Sequence, residues 1–246
     1  MTFDELYEQI AAGKMSKDEA RRHFSLEWME TARNYIADVN RGARINIPEI
    51  IYGEYKTADQ TIELAEALLT RHSGVLVSRS PHQPALVNYF NDRYSVKETA
   101  LLLAIGDFPE PRGHVLVISA GAADHPVASE CSLALEALGV HPVVFEDRGI
   151  AHPTRVLDAV MEGLNKKVAA VIVVAGMEGA LAPFVSSLVP LPVVGVPTSV
   201  GYGFRANEAA LTSMLASCAP NLTVVNIDGG IRAAVVAGLI AKNSSL

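Results

Sequence analysis

From His114 to the end, short apolar runs alternate with amphipathic segments, and this alternation limits the fold more than any other feature of the chain. The apolar runs are "HVLVIS", "PVVFED", "VAAVIVVAG", "PVVGVP" and "LTVVNI", and a helical pattern follows each of them. Strands that alternate with helices form a parallel sheet with right-handed crossovers and helices on both faces. The pattern therefore predicts an α/β fold, a three-layer αβα unit around a mostly parallel five-stranded sheet.

The first forty residues follow a different pattern, which is typical of short helices. Two amphipathic segments are separated by a glycine, and the second begins with Ser16 and Glu19 at the spacing of a capping box. A longer and more polar stretch continues through Trp28 and Tyr35. We expect this part of the chain to be helical, with packing or subunit contact as its simplest role.

A change in organisation near residue 110 indicates a domain boundary. Before it, an amphipathic helix covers residues 58–74, and the strand "VLVSR" follows. The segment "GDFPEPRGH" then combines Gly, Pro and charged residues without periodicity, as linkers do. We therefore predict a smaller helical and α/β domain over residues 1–110 and a second domain over residues 111–246.

Charge and cysteine usage narrow the classes of function. The formal net charge is −7 and no block of Lys or Arg occurs, so neither nucleic acid nor an anionic membrane is an expected partner. The apolar runs are too short to span a bilayer, and "MTFDELYEQI" does not resemble a secretion signal. The two cysteines have no paired spacing, which favours a reducing compartment. We expect a soluble cytoplasmic protein.

Small residues are concentrated in the turns that follow the predicted strands of the second domain. These turns read "SAGAADHP", "EDRGIAHP", "AGMEGA", "VPTSVGYGF" and "NIDGGI". In parallel α/β sheets, ligands bind outside the carboxyl ends of the strands. Glycine in one turn indicates only close packing, whereas glycine in all five favours backbone that faces a ligand. The turn "PTSVGYGF" is typical of loops that hold phosphate or ribose through backbone N–H groups.

Three carboxylates follow the first, third and fifth of these strands: Asp124, Glu178 and Asp228. Carboxylates that converge on one crevice shift each other's pKa and suit acid–base chemistry. Each of them alternatively caps a helix N-terminus. Asp124 fits such a cap, whereas Glu178, between Met177 and Gly179 at a strand exit, fits a functional role better.

The residue pattern alone assigns both cysteines to the core. Cys131 lies on the apolar face of a predicted helix, and Cys218 ends the predicted helix 205–218 with Leu211 and Leu215 on the same face. A reactive thiol needs access and a lowered pKa, which composition does not reveal. His152 is a lone loop histidine, and such residues usually face solvent.

The second domain resembles the aminoimidazole ribonucleotide carboxylase (PurE) family. The likeness lies in "GAADHPVASE", "GIAHPTRV", "VVAGMEGALAPFVSSLVPLPVVGVP" and "AAVVAGLIA". Within that family the chain is similar to the LarB branch, because "GMEGA", "PTSVGYG" and "SCA" occur together, and "PEIIYGEYKTADQ" resembles the leading segment of that branch. The likeness covers the chain from about Pro48 onward and implies a PurE-like nucleotide-binding catalytic domain.

Resemblance to the LarB branch implies a pyridinium-3,5-biscarboxylic acid mononucleotide synthase of nickel-pincer nucleotide cofactor biosynthesis. Such an enzyme carboxylates nicotinic acid adenine dinucleotide at pyridinium C5 with CO₂ or bicarbonate, and hydrolyses its phosphoanhydride to release AMP. The family's cysteine matches Cys218, which makes this residue the expected nucleophile rather than core, with Glu178 or Asp124 as the base. A thiolate that adds at C6 makes C5 nucleophilic, which explains the need for a cysteine.

The resemblance also implies binding residues and an assembly. The residues expected to contact substrate are Gly121, Ala122, Ala123, Arg155, Gly176, Met177, Gly179, Ala180, Thr198, Ser199, Val200, Gly201, Tyr202, Gly203, Asn226, Asp228 and Gly229. No tightly bound cofactor and no protein metal site are expected, and assistance by Mg²⁺ at the phosphoanhydride stays open. The family forms octamers, and the apolar last helix fits burial against another subunit.

Three turns depart from the pattern of the LarB branch. Ala122 and Ala123 replace the usual hydroxyl residues, Thr154 and Arg155 replace a His–Arg pair, and Gly229 replaces an asparagine. These changes leave room for a related pyridinium substrate. Two alternatives therefore stay open: a PurE-type carboxylase or mutase of an aminoimidazole ribonucleotide, which needs no cysteine, and a nucleotide-binding protein without catalysis.

Overall fold

The computed structural model describes residues 3–16, 19–20, 30–32, 35–38, 41–45, 47–206 and 208–244. Trp28, which the sequence analysis placed in a helical stretch, lies outside the described residues. The chain divides into two compact units, Met1–Lys97 with Leu103–Asp107 and Glu98–Leu102 with Phe108–Leu246. In the part of the chain that is described, no helix has the length and apolar character needed to cross a membrane.

The first unit contains short helices and a small mixed sheet. Its described elements are α1 (Phe3–Ala11), β1 (Glu30–Ala32), β2 (Tyr35–Ala37), α2 (Arg41–Ile45), β3 (Ile50–Tyr52), α3 (Ala58–Leu69), β4 (Gly74–Ser78), α4 (Gln83–Phe90), β5 (Val96–Glu98) and β6 (Leu102–Gly106). A sheet is formed in the order β3-β4-β6-β5, with β3 and β4 parallel. A helix through Tyr35 was the wrong prediction, because β1 and β2 pair antiparallel there. The aromatic and β-branched residues of these strands favour extended backbone.

Local capping in the first unit follows the sequence pattern, whereas helix length does not. The capping box at Ser16 and Glu19 is confirmed, because each residue's side chain accepts a hydrogen bond from the other's backbone N–H. Helix α3 ends at Leu69 instead of continuing to Gly74, which begins β4. Its buried face is centred on Leu64, which packs with the strands of this unit's core.

The second unit is a five-stranded parallel sheet with its connecting helices. Its elements are β7 (His114–Ser119), α5 (His125–Ala137), β8 (His141–Phe145), α6 (Pro153–Asn165), β9 (Ala170–Ala175), α7 (Leu181–Ser186), β10 (Val193–Pro197), α8 (Ala209–Leu215), β11 (Leu222–Val224) and α9 (Gly230–Ser244). The strand order is β11-β10-β9-β7-β8, and every pairing is parallel. The predicted three-layer α/β fold is confirmed.

Helices cover both faces of this sheet, which explains its uninterrupted apolar strands. Helices α6, α7 and α8 share one core cluster with the strands, and α5 and α9 pack together on the other face. All six residues of β9 are buried as a result. Helix α9 lays its alanines and glycines against the sheet and α5, while Val236 on its outer side is 39% exposed.

The strand order reverses beside β7, and this reversal locates the crevice. The chain leaves β7 towards β8 on one side, then returns to β9 on the other side of β7. The helices on opposite faces therefore diverge at the carboxyl ends of β7 and β9, next to Ser119 and Ala175. Such a switch in strand order is where open α/β sheets bind ligands.

Candidate active site

Asp124 joins the turns that leave three neighbouring strands. Its Oδ2 accepts the N–H of Gly121 at 2.9 Å, and its Oδ1 accepts the hydroxyl of Thr198 at 2.7 Å. The backbone of Gly176 contributes a further hydrogen bond to the same carboxylate. Gly121 follows β7, Gly176 follows β9 and Thr198 follows β10, so one side chain connects all three exits.

The electrostatic state of Asp124 reflects its burial. The residue is 3% exposed, and this desolvation raises the pKa of its carboxyl above the usual value. The negative charge of Asp228 acts in the same direction, whereas the hydrogen bonds from Thr198, Gly121 and Gly176 act against it. Asp124 is therefore a buried carboxylate that its donors hold, with a second carboxylate nearby.

The role of Asp124 as a cap for helix α5 was the wrong prediction. Asp124 occupies the N-cap position of α5, but its side chain makes no capping hydrogen bond to that helix. It instead closes the short 3-10 turn Ala122–Asp124 on the N–H of Gly121. The methyl groups of Ala122 and Ala123 are exposed on this turn, where the resemblance leads one to expect hydroxyls.

Gly176 is required for close packing between two loops. A Cβ atom at this position would lie 2.3 Å from the carbonyl oxygen of Val200 and 2.7 Å from Oγ1 of Thr198. The N–H of Met177 donates to the same Val200 oxygen at 2.8 Å. Gly176 is buried against its neighbouring loop, and the expectation that its backbone contacts substrate stays a prediction.

Beyond Gly176, the backbone turns so that Glu178 faces solvent. Met177 and Gly179 both have a positive φ, of 51° and 67°, and a Cβ at Gly179 would lie 2.9 Å from the carbonyl oxygen of Ala210. Met177 is 41% exposed and the side chain of Glu178 is exposed as well. Ala180, half-buried, follows as the N-cap of α7. Glu178 is thus a carboxylate at the strand exit that a bound molecule can reach.

The loop after β10 is anchored at its base and exposed at its tip. The N–H of Ser199 donates to Oδ1 of Asp228 at 2.9 Å, and the N–H of Asp228 donates to the carbonyl of Pro197 at 2.8 Å. Tyr202 is 82% exposed, and Gly203 beside it has a φ of 84°. The tip therefore presents an aromatic ring to solvent next to the crevice.

The remaining polar positions expected to bind substrate lie around this loop and the turn after β8. Gly201 packs near the carbonyl oxygen of Ala206, whereas Asn226 is exposed. A glycine fits at position 229 because a Cβ atom there would lie 2.8 Å from the carbonyl oxygen of Asn226. Arg155 is exposed and pairs with Asp147 at 3.3 Å. This pairing leaves the Arg155 guanidinium at the surface, where an anion would compete with Asp147.

Two histidines near the turn after β8 are partnered within the chain. His152, exposed as expected, shares a hydrogen bond of 2.8 Å with the hydroxyl of Thr154. His125, which no sequence pattern indicated, has its Nδ1 2.9 Å from Oε1 of Glu146. His125 is the first residue of α5 and Glu146 follows β8, and no short motif links these positions.

Cys218 lies outside the helix in which the residue pattern placed it. Helix α8 ends at Leu215, because the hydroxyl of Ser217 accepts the N–H of Ala219 and Pro220 cannot continue a helix. Cys218 is exposed, so its assignment to the core is wrong and the accessible thiol implied by the resemblance is present. Cys131 is fully buried, which raises the pKa of its thiol, and its place in the core is confirmed.

Within one chain, Cys218 precedes the amino end of the strands and Glu178 follows their carboxyl end. Cys218 precedes Leu222, which pairs with Val193 at the start of β10, whereas Glu178 follows Ala175, which pairs with the last residue of β10. The five residues of β10 separate these two ends by roughly 13 Å at about 3.3 Å per residue. The strand register therefore indicates that the chain passes Cys218 and Glu178 at opposite ends of the strands.

Metal-ligating side chains do not converge at the described edge. Among the residues that the structure describes, no group of three or more His, Cys, Asp or Glu is placed to hold a metal ion. Two carboxylates at the crevice already accept hydrogen bonds. Asp124 accepts one from the hydroxyl of Thr198, and Asp228 accepts one from the N–H of Ser199. Assistance by Mg²⁺ stays a proposal that depends on substrate phosphates as further ligands.

Two family models match consecutive parts of the chain. The model described as AIR carboxylase matches residues 114–245, which is more than half of the 246 residues. The chain belongs to the AIR carboxylase family. A model described as the LarB/PurE-like N-terminal domain matches residues 29–105, so this AIR carboxylase relative has the two-part architecture of LarB. Both matches support a carboxylase-type function of the PurE family.

A relative from an archaeon covers both units. The uncharacterized protein MJ0165 of Methanocaldococcus jannaschii is 35% identical over 240 residues, which span 94% of this chain and 93% of that protein. The similarity therefore extends over the whole LarB-like architecture and is not restricted to the AIR carboxylase part. The name of that protein states no activity, so the similarity adds no substrate.

Proposed function

We propose that this AIR carboxylase relative carboxylates nicotinic acid adenine dinucleotide at pyridinium C5 and hydrolyses its phosphoanhydride. The products are pyridinium-3,5-biscarboxylic acid mononucleotide and AMP, and CO₂ or bicarbonate is the co-substrate. The observation that carries the proposal is the exposed thiol of Cys218, in a chain whose two parts match the LarB architecture. Cytoplasmic location, and Mg²⁺ at the phosphoanhydride, are part of the same proposal.

The carboxylation begins with covalent catalysis by the thiolate. The pyridinium ring is electron-poor, so C5 does not attack CO₂ directly. Addition of the Cys218 thiolate at C6 places an electron pair in an enamine, and C5 then forms the new bond to CO₂. A base removes the C5 proton, and the electrons of that C–H bond restore the aromatic ring as the thiolate leaves. Water completes the second reaction by cleaving the phosphoanhydride.

The exposed Glu178 is the base that fits this scheme. Asp124 is buried and already accepts hydrogen bonds from Gly121 and Thr198, and Asp228 accepts one from the N–H of Ser199. Glu178 is exposed where β9 ends, so its carboxylate can approach a ring bound at this edge. A base needs hydrogen-bond reach of about 3 Å to the proton that it removes.

Assembly into a homo-oligomer, which we propose to be an octamer, reconciles Glu178 with Cys218. In one chain, these two residues lie at opposite ends of the strands. If both touch one pyridinium ring, the thiol belongs to one subunit and the carboxylate to another. The exposure of Cys218, and of Leu215 at 65%, supports this arrangement, because both side chains face solvent within one chain.

The deciding experiment supplies substrate and follows both products. The protein is incubated with nicotinic acid adenine dinucleotide and bicarbonate, and mass spectrometry detects the added carboxylate and AMP. We expect the Cys218→Ala variant to lose carboxylation by a factor of about 10³ or more, because the covalent route is closed. The matched control is Cys131→Ala, whose thiol is buried and which should retain turnover after correction for folded protein. If the wild type forms neither the carboxylated product nor AMP, the proposal is refuted. Full activity of Cys218→Ala would contradict the covalent mechanism.

A PurE-type reaction on an aminoimidazole ribonucleotide is the second candidate. The separation of Cys218 from the turn-bearing edge favours it, because that chemistry needs no cysteine. Turnover of the aminoimidazole ribonucleotide that survives alkylation of Cys218 would establish this alternative. Turnover of the pyridinium substrate that alkylation abolishes excludes it.

A further inference from the structure

A buried hydrogen bond joins Thr198 and Asp124, which belong to two different turns of the crevice. Thr198 is fully buried and Asp124 is 3% exposed, and Oγ1 to Oδ1 measures 2.7 Å. These residues are 74 positions apart and follow different strands. A polar pair of this kind, once removed from water, is costly to leave half-made.

Thr198, whose hydroxyl donates to Asp124, is packed closely against the exit of β9. Gly176 lies against Thr198 so closely that a Cβ there would come within 2.7 Å of Oγ1. The chain beyond Gly176 is held to the same loop, since the N–H of Met177 donates to the carbonyl of Val200. The Thr198 hydroxyl therefore sits between the exit of β9 and the carboxylate of Asp124.

We propose that Thr198 is a positioning residue that acts through Asp124. Their hydrogen bond fixes the 3-10 turn after β7 against the loops after β9 and β10, and so sets where Glu178 and Tyr202 meet the substrate. We call this hydrogen bond between Thr198 and Asp124 the clamp. Its effect on turnover rests on the proposed function, whereas its effect on the loops does not. Asp124 works here as an ionised acceptor for Thr198, Gly121 and Gly176, and does not move the substrate proton.

The clamp has a pH signature because it depends on ionised Asp124. The groups that face this carboxyl are Thr198, the backbone of Gly121 and Gly176, and the charge of Asp228. The hydrogen bond from Thr198 lowers the pKa of Asp124 against the larger effect of burial, which raises it. Removal of the hydroxyl therefore raises that pKa further, and the acid limb of the activity profile moves to higher pH.

The test compares Thr198→Val, which keeps the shape, with Thr198→Ser, which keeps the hydroxyl. We expect Thr198→Val to lower kcat roughly 10- to 100-fold with its acid limb at higher pH, and Thr198→Ser to stay within about threefold of wild type. Thr223→Val, an exposed threonine on β11, is the matched control and should change neither. Equal loss in the Val and Ser variants, or an unmoved acid limb in Thr198→Val, would overturn the positioning role.

A measurement without substrate separates this proposal from the proposed reaction. Urea unfolding of the wild type, Thr198→Val, Asp124→Ala and the double variant forms a double-mutant cycle, in which each single variant removes the hydrogen bond. We expect coupling, so that Thr198→Val destabilises the wild type but has little further effect beside Asp124→Ala. Additive effects would overturn the clamp. If the wild type carboxylates no pyridinium substrate, the reaction is refuted while this cycle still decides the clamp.

Discussion

At the scale of single residues, the crevice depends on a glycine without a side chain as much as on the side chains around it. Gly176 has no room for a methyl group, because the carbonyl oxygen of Val200 and the hydroxyl of Thr198 occupy that space. The Val200 oxygen is also engaged by the N–H of Met177. Neither backbone can retreat without breaking a hydrogen bond, so the position tolerates only glycine.

A Gly176→Ala variant should therefore be destabilised by about 2 kcal/mol or more, because the added methyl overpacks two hydrogen-bonded loops. The free energy of urea unfolding measures the change. Gly42→Ala is the control, since a Cβ there has no atom within 4 Å and the residue lies in helix α2. Equal stability of the two variants would contradict the packing argument.

At the scale of elements, one side chain fixes the connection between α7 and β10 to the start of β11. The carbonyl oxygens of Ser186, Val189 and Leu191 lie 2.9–3.2 Å from Nδ2 of Asn221, whose two N–H groups are shared among them. Its Oδ1 accepts the hydroxyl of Ser186 at 2.6 Å. The connection between α7 and β10 has few regular hydrogen bonds of its own, so Asn221 supplies partners that secondary structure does not.

We expect Asn221→Ala to lower the free energy of unfolding by roughly 2–3 kcal/mol, because several partly buried acceptors lose their donor at once. Chemical denaturation measures this loss. Asn243→Ala, on the exposed side of helix α9, offers a control in which the change should be close to zero. A similar effect of both substitutions would show that the Asn221 network contributes nothing specific.

At the scale of the whole molecule, the separation of Cys218 from Glu178 makes a prediction about subunits. Cys218→Ala and Glu178→Gln should each be inactive as pure assemblies. When the two variants are co-expressed, or mixed under conditions that exchange subunits, some interfaces combine an intact Cys218 with an intact Glu178. We therefore expect carboxylation to return to a measurable fraction of the wild-type rate.

The outcome of that mixing experiment depends on which chain supplies each group. A site contained in one chain never regains both groups, because every chain carries one substitution. Persistent inactivity of the mixed assemblies, with light scattering showing that subunits have exchanged, contradicts the shared site. Mixing Cys218→Ala with Cys218→Ser is the control, and it should stay inactive in either arrangement.

The strands of the second unit could be predicted closely because their pattern is local. Strand β7 covers the predicted "HVLVIS" residue for residue, and β9 lies within the predicted "VAAVIVVAG". A run of apolar residues between turn-forming residues is sufficient to identify a strand that is buried on both faces. Helix ends were less predictable, since the stop before Cys218 depends on one hydroxyl and one proline.

By itself, the sequence determined the α/β class, the parallel sheet and the edge on which the glycine-rich turns lie, because periodicity and turn residues act over a few positions. Only the tertiary structure decided that Asp124 is a buried clamp partner of Thr198, that Gly176 serves loop packing, and that Cys218 is exposed at the other edge. These outcomes depend on contacts between residues far apart in the chain. Such contacts form only when parallel strands place distant turns side by side, and no local pattern encodes them.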